Sequence, residues 1–203
     1  VSERRKASEQ ALEAARKAAA SCRDCPLWES GTQTVFGAGD ANAKIMLIGE
    51  QPGDEEDLRG EPFVGPAGRL LDRALADAEV DRSRIYVTNA VKHFKWEPRG
   101  KRRLHKTPAQ REIDACHQWL EQEIEIVKPE VIVCLGGTAT KAVLGPKVKV
   151  LANRGKFLAS PLGRRVLITV HPSSVLRAPE ETRELAYQAL IDDLKLINRM
   201  RER

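Results

Sequence analysis

Two rhythms of apolar and polar residues alternate along the chain. Short runs of aliphatic and β-branched residues are separated by longer stretches where apolar residues return every three or four positions. Residues 45–48 (IMLI) form an apolar run stopped by Gly49, which predicts a buried strand entering a tight loop. Residues 84–91 (RIYVTNAV) and 131–135 (VIVCL) predict two further strands, and 156–159 and 165–170 a strand pair around a turn at 161–163. Residues 34–39 read as a short strand and turn. The Ala-, Glu- and Arg-rich residues 3–20 predict a helix. A second helix starts near 65–67 and runs to about Glu79 on Leu70, Leu71, Leu75 and Ala78, after a Gly- and Pro-rich loop. Thr107 and Pro108 read as N-cap and first residue of a helix to about Val127. Gly136-Gly137-Thr138 leads into a helix ending at Leu144, and residues 180–200 close the chain as a helix with Leu190, Ile191, Leu194 and Ile197 on one face. Residues 92–106, broken by Pro98 and Gly100, read as a loop. Strands alternating with helices predict an α/β fold: one domain over residues 1–203, three-layer α/β/α, with a central, mostly parallel sheet.

With 203 residues the chain can bury a real core, and 41% hydrophobic with 31% charged residues is an ordinary globular balance. No run approaches the ~18 apolar residues of a membrane span. The first twenty-two residues hold no apolar signal core, so secretion is not expected and a cytoplasmic place is. A net charge of +5 and a pI of about 9.1 hint at a polyanionic partner. That charge is concentrated in residues 92–106, where seven Lys or Arg face one acid, Glu97.

Three polar strings fall just past predicted strands: Glu50, Gln51 and Asp54, with Pro52 and Gly53 in the turn; Asn89; and His171-Pro172-Ser173-Ser174. In open α/β sheets ligands bind at the carboxyl ends of strands, so these strings predict one pocket. The four cysteines are Cys22, Cys25, Cys116 and Cys134. A chain that is not secreted disfavours disulfides, and the Cys22-Arg-Asp-Cys25 spacing suits a metal or cluster.

The strings GEQPGD, EPFVGPAGRLL, VTNAVK, VIVCLGGTA and HPSS, in that order, resemble the uracil-DNA glycosylase superfamily, nearest its iron–sulfur family 4. The insertion KRRLH, residues 101–105 within an inserted basic loop at 95–107, resembles the signature loop of the UdgX branch, whose members excise uracil and become covalently joined to the DNA. The resemblance runs from about Cys22 to the end of the chain. It implies that Phe63 stacks on a flipped uracil, that Asn89 reads its Watson–Crick edge, and that His171 donates to uracil O2 as charge grows on the leaving base. Glu50 would support the cationic sugar or position the attacking group. Gly49, Gln51 and Asp54 would hold uracil or the adjoining loop, and Glu56 would crowd the C5 edge against thymine. Ser173, Ser174, Leu176 and Arg177 match a loop that enters the minor groove and grips phosphates, with Leu176 as wedge. Lys101, Arg102 and Arg103 would draw in the DNA backbone.

By the same resemblance, His105 takes the place of water and captures the sugar at C1′. The cations Lys101, Arg102, Arg103 and Lys106 are expected to keep its imidazole neutral. Family 4 carries a cysteine after the VTN strand where this chain has His93, so Cys22, Cys25, His93 and Cys116 are the expected ligands of a 4Fe-4S cluster, with Cys134 as core; the rival set is the four cysteines, with Cys134 in place of His93. The implied partner is uracil-containing DNA, single- or double-stranded, acted on by a monomer away from membranes at the bacterial nucleoid, with free uracil released. The alternatives are a conventional turnover glycosylase and a non-catalytic iron–sulfur DNA-binding module.

Overall fold

A computed structural model describes residues 2–198. The elements, in order, are α1 (Ser2–Ala19), α2 (Leu27–Ser30), β1 (Ala38–Gly39), β2 (Ile45–Gly49), α3 (Asp54–Arg59), α4 (Pro66–Asp77), β3 (Ile85–Asn89), β4 (Trp96–Arg99), β5 (Arg102–His105) and α5 (Gln110–Val127). Then follow β6 (Val131–Leu135), α6 (Gly137–Leu144), α7 (Val150–Asn153), β7 (Phe157–Ala159), β8 (Arg165–Thr169), α8 (Pro172–Leu176) and α9 (Glu180–Lys195).

Six strands form one sheet in the order β1-β3-β2-β6-β8-β7. The inner four are parallel, and β1 and β7 join the edges antiparallel. Alternation along each strand sorts side chains to two cores. Met46, Ile48, Ile132, Cys134, Val166 and Ile168 face one cluster, shared with Leu12 of α1, Trp119, Leu120 and Ile124 of α5 and Val143 of α6. Leu47, Val131, Val133, Leu135 and Leu167 face the other, with Leu70, Leu71 and Leu75 of α4 and Leu190 and Leu194 of α9. This is the three-layer, mostly parallel architecture that the strand and helix rhythms predict. No helix among the described residues is long and apolar enough to cross a membrane.

Four local expectations are corrected. Residues 92–106 are not a loop throughout: β4 and β5 form an antiparallel hairpin pairing Trp96 with His105 and Arg99 with Arg102. Pro98 is tolerated there because a two-stranded ribbon is all edge. The following helix begins at Gln110 rather than Pro108, because Glu112 reaches back to accept from the Ala109 backbone N–H at 2.6 Å. Residues 54–59, read as part of a loop, form α3, with four acids in its first turn opposite the helix dipole. The Ser173–Leu176 stretch, matched to a loop, is the one-turn α8. The last residues of the helix predicted to reach Met200 lie outside the described residues.

The chain runs from β2 to β3 on one side and returns through α5 to β6 on the other side of β2. The crevice between β2 and β6 is therefore a topological switch point, where the loops at the strands' carboxyl ends diverge and leave room for a ligand.

Candidate active site

Glu50 follows β2, Asn89 ends β3, Gly136–Thr138 follow β6 and His171 follows β8. A cavity of about 400 Å³ opens there, lined by Gln51, Glu56, Phe63, Asn89, His105, His171, Leu176 and Arg177, among others. Its floor is Gly49. A Cβ on that residue would lie 2.4 Å from Asn89 Oδ1 and 2.7 Å from Phe63 Cζ, so any side chain would fill the space.

Phe63 is one wall. Its backbone is left-handed (φ 60°), a costly conformation outside glycine. Close packing maintains it: a Cβ on Gly68 of α4 would stand 1.7 Å from the Phe63 carbonyl oxygen. The Phe63 ring lies 6.3 Å from the His171 ring at 28°. His171 Nδ1 accepts from the Ser173 backbone N–H at 3.2 Å and meets Ser173 Oγ at 2.8 Å. The neutral ring therefore carries its proton on Nε2 and offers it as a donor. Burial, with His105 and Arg177 nearby, holds the His171 pKa down to about 4, so the neutral donor persists at neutral pH.

His105, at the end of β5, faces Glu50. Its Nε2 lies 3.3 Å from Glu50 Oε1, and the ring leans on Phe94 at 6.1 Å. The other Glu50 oxygen, Oε2, accepts a short hydrogen bond from Thr138 Oγ1. His105 is held below the ordinary histidine range, as expected, but for another reason. Burial is the main cause and Arg177 adds to it, while Glu50 pulls the other way. The cations of its own hairpin are not among the causes: Arg103 and Lys106 are paired with acids, and Lys101 and Arg102 lie at the far tip.

Lys92 is fully buried and bonds Glu123 Oε2 at 2.5 Å, Thr88 Oγ1 at 2.7 Å and the Asn89 carbonyl at 2.8 Å. Lys95 pairs with Glu112, and Lys106 with Glu97, both at 2.8 Å. Arg103, expected to face DNA, turns inward. It meets Asp54 at 2.5 Å and the fully buried Asp57 at 2.6 Å, and its guanidinium lies over Phe94 and Trp96. Arg99, Lys101 and Arg102, at the hairpin tip, have no ion-pair partner among the described residues, so they carry the charge free for phosphates.

Gln51 closes the hairpin's base, accepting from the Lys95 N–H at 3.1 Å and donating to the carbonyls of Lys95 (3.1 Å) and Lys106 (3.2 Å). Of the two uses expected for Gln51, holding the adjoining loop is the one its bonds support. Glu56 likewise has both oxygens engaged, by the Gly53 N–H at 3.1 Å and the Gly65 N–H at 2.8 Å. It lines the cavity and links the turn before α3 to the turn before α4. Ser174 Oγ donates to the His171 carbonyl at 2.7 Å, so both serines of HPSS hold the histidine turn, leaving Leu176 and Arg177 outermost.

The Arg103 clamp yields a prediction. Arg103→Ala strips a buried carboxylate of its cation, which should cost about 1–3 kcal/mol in thermal stability. Amide hydrogen exchange across residues 95–106 should speed up, because the hairpin loses its tie to Asp54 and Asp57. Unchanged exchange would mean the clamp is dispensable.

The cysteines gather on one side of α5. The Lys92 N–H donates to Cys116 Sγ at 3.5 Å and the Trp119 indole N–H to Cys22 Sγ at 3.2 Å. Cys116 donates to Cys25, whose thiol is drawn down to about 6. Gln118 fastens Asp24, between the two N-terminal cysteines, at 2.6 Å. His93 Nε2 meets Thr34 Oγ1 at 3.0 Å. Among the described residues, no three His, Cys, Asp or Glu side chains converge as one metal ion requires. Cys22 and Cys116 each accept an N–H, and with Cys25 they are of the donor type that holds a thiolate-bound cluster, whereas Cys134 is buried in the core, paired with Ile48 and Ile168.

A flat apolar wall, an amide at a strand end, a neutral imidazole donor and a carboxylate suit a planar heterocycle joined to a sugar. The sequence profile of the uracil DNA glycosylase superfamily matches residues 36–195. A type-4 uracil-DNA glycosylase of Thermotoga maritima is 38% identical over 170 residues, covering 83% of this chain and 85% of that one. One from Archaeoglobus fulgidus is 35% identical over 79% of this chain and 80% of its own. A type-5 uracil-DNA glycosylase of Pyrobaculum aerophilum is 31% identical over 72% and 68%. The chain belongs to the uracil-DNA glycosylase superfamily.

Proposed function

We propose that this protein excises uracil from DNA and is then captured on the abasic sugar through His105. The excision half rests on its type-4 relatives and on the cavity. Uracil would lie against Phe63, and the Asn89 amide would match its donor and acceptor edge. His171 Nε2–H would donate to O2 as the C1′–N1 electron pair leaves with the base, which is where a fixed donor lowers the barrier most. Glu50 would face the cationic sugar.

The observation that carries the capture half is the 3.3 Å contact of Glu50 with His105, a residue that lines the same cavity. With the proton on Nδ1, the Nε2 lone pair would be the attacking pair. Nε2–C1′ forms as C1′–N1 breaks, and the Nδ1 proton is then lost to solvent, leaving a neutral glycosyl-imidazole. Cys22, Cys25 and Cys116, with His93 through its Nδ1, would hold a 4Fe-4S cluster. Such a cluster would brace the layer beneath the hairpin, and no step of the reaction passes through it.

Incubation with a deoxyuridine oligonucleotide should give a heat- and SDS-stable protein–DNA band, with an intact mass equal to protein plus DNA minus uracil. The lone pair that attacks exists only on the neutral ring, and lowering its pKa extends that form toward acid. Capture should therefore stay level from neutral pH down past 6.5, the ordinary histidine value, and fall only below it. Uracil release without a stable band would instead identify a turnover glycosylase. Binding without release would leave only a DNA-binding module.

A further inference from the structure

The two oxygens of Glu50 are in different situations. Oε1 faces Nε2 of His105, which lines the cavity, whereas Oε2 is held on its other side by Thr138 Oγ1. Thr138 is the second residue of α6 and is buried. It reaches Glu50 from the turn that packs against His171, where a Cβ on Gly136 would come within 3.0 Å of His171 Cβ. The site thus ties Glu50 to the β6 end of the crevice and aims one oxygen at the reacting centre.

We propose that Thr138 is the positioning residue that decides which nucleophile meets the sugar. This rests on the capture reading above. A carboxylate free to rotate offers both oxygens, and either can hold a water for attack on C1′. With Oε2 tied back by Thr138, Oε1 is left on the sugar side, and the His105 ring, 3.3 Å away, fills the place where a water on that oxygen would sit. Water is crowded out from beside the base, and the imidazole attacks. In the competing path an O–C1′ bond would form as C1′–N1 breaks, the electron pair leaving with uracil and the water's proton passing to Glu50. The hydroxyl of Thr138 thus suppresses hydrolysis by holding Glu50 where the His105 ring covers it, not by touching the sugar.

The test compares Thr138→Val, which keeps the shape and removes the hydroxyl, with Thr138→Ser, which restores it; Thr138→Ala serves if the valine variant does not fold. Each is incubated with a deoxyuridine oligonucleotide, and adduct formed and free abasic DNA are both counted per uracil released. The valine variant should form roughly ten- to a hundredfold less adduct per uracil released, the worth of one hydrogen bond to a charged group. Free abasic DNA should appear in its place, and the serine variant should return to the wild-type ratio. If excision and capture fall together and their ratio stays constant, Thr138 is merely structural and the inference is overturned. An unchanged valine variant overturns it equally. A wild-type protein that forms no adduct defeats the capture reading itself, which the valine comparison alone would not.

Discussion

His105→Ser should abolish the SDS-stable protein–DNA band while uracil release continues. The imidazole is the nitrogen that meets Glu50, at 3.3 Å from Oε1. The residues proposed to act on the base, Phe63, Asn89 and His171, sit on other elements: the loop before α4, the end of β3 and the turn after β8. Removing the ring should therefore leave base recognition intact. Serine's short side chain also opens space beside Oε1, where a water can now be held. The adduct should fall from nearly stoichiometric to undetectable, and the protein should release uracil through repeated turnovers. Denaturing gel electrophoresis with a labelled deoxyuridine strand reads both outcomes. A persistent cross-link in His105→Ser would show that another residue is the nucleophile.

Gly49→Ala should have the opposite profile, losing excision and capture together. The new methyl would lie 2.4 Å from Asn89 Oδ1 and 2.7 Å from Phe63 Cζ, well inside van der Waals contact. Neither neighbour can yield cheaply. Asn89 ends a buried strand whose carbonyl is fixed by Lys92, and Phe63 sits on a left-handed backbone pressed against Gly68. The methyl would thus either occupy the base's space or displace both groups that recognise it. A misplacement of about 1 Å in a reacting assembly can cost about a hundredfold in rate, and a loss of at least that size is expected. Single-turnover uracil release is the measurement, with the melting temperature showing that the fold survives. Excision near the wild-type rate would mean that uracil does not approach the Gly49 floor.

The sequence legibly placed the strand ends and the residues that crown them. Glu50, Asn89 and His171 each follow a short apolar run, and such runs end where a parallel strand leaves the core. Cys134 could be assigned to the core for the same reason, flanked as it is by Val133 and Leu135. The partners of the charges were much less legible. Lys92, Arg103 and Lys106 read alike in a basic stretch, yet one is buried on Glu123, one is clamped by Asp54 and Asp57, and one lies on the surface with Glu97. The acids concerned stand 31, 49, 46 and 9 positions away along the chain, the last across the hairpin. The signal missed for the hairpin was alternation around Gly100, obscured by Pro98. For Thr138 there was none beyond its place at the start of a helix.

What the sequence determined by itself is the layered α/β architecture and the set of polar residues delivered to one end of the sheet, because periodicity and strand termination are local properties of the backbone and of burial. Only the tertiary structure decided which of those residues meet. It put His105 against Glu50 and Thr138 behind it, turned Arg103 away from solvent, and spent Gln51 and Glu56 on holding the walls. Those pairings depend on the sheet's crossover, which brings together loops from opposite sides of β2, and no spacing along the chain encodes that distance.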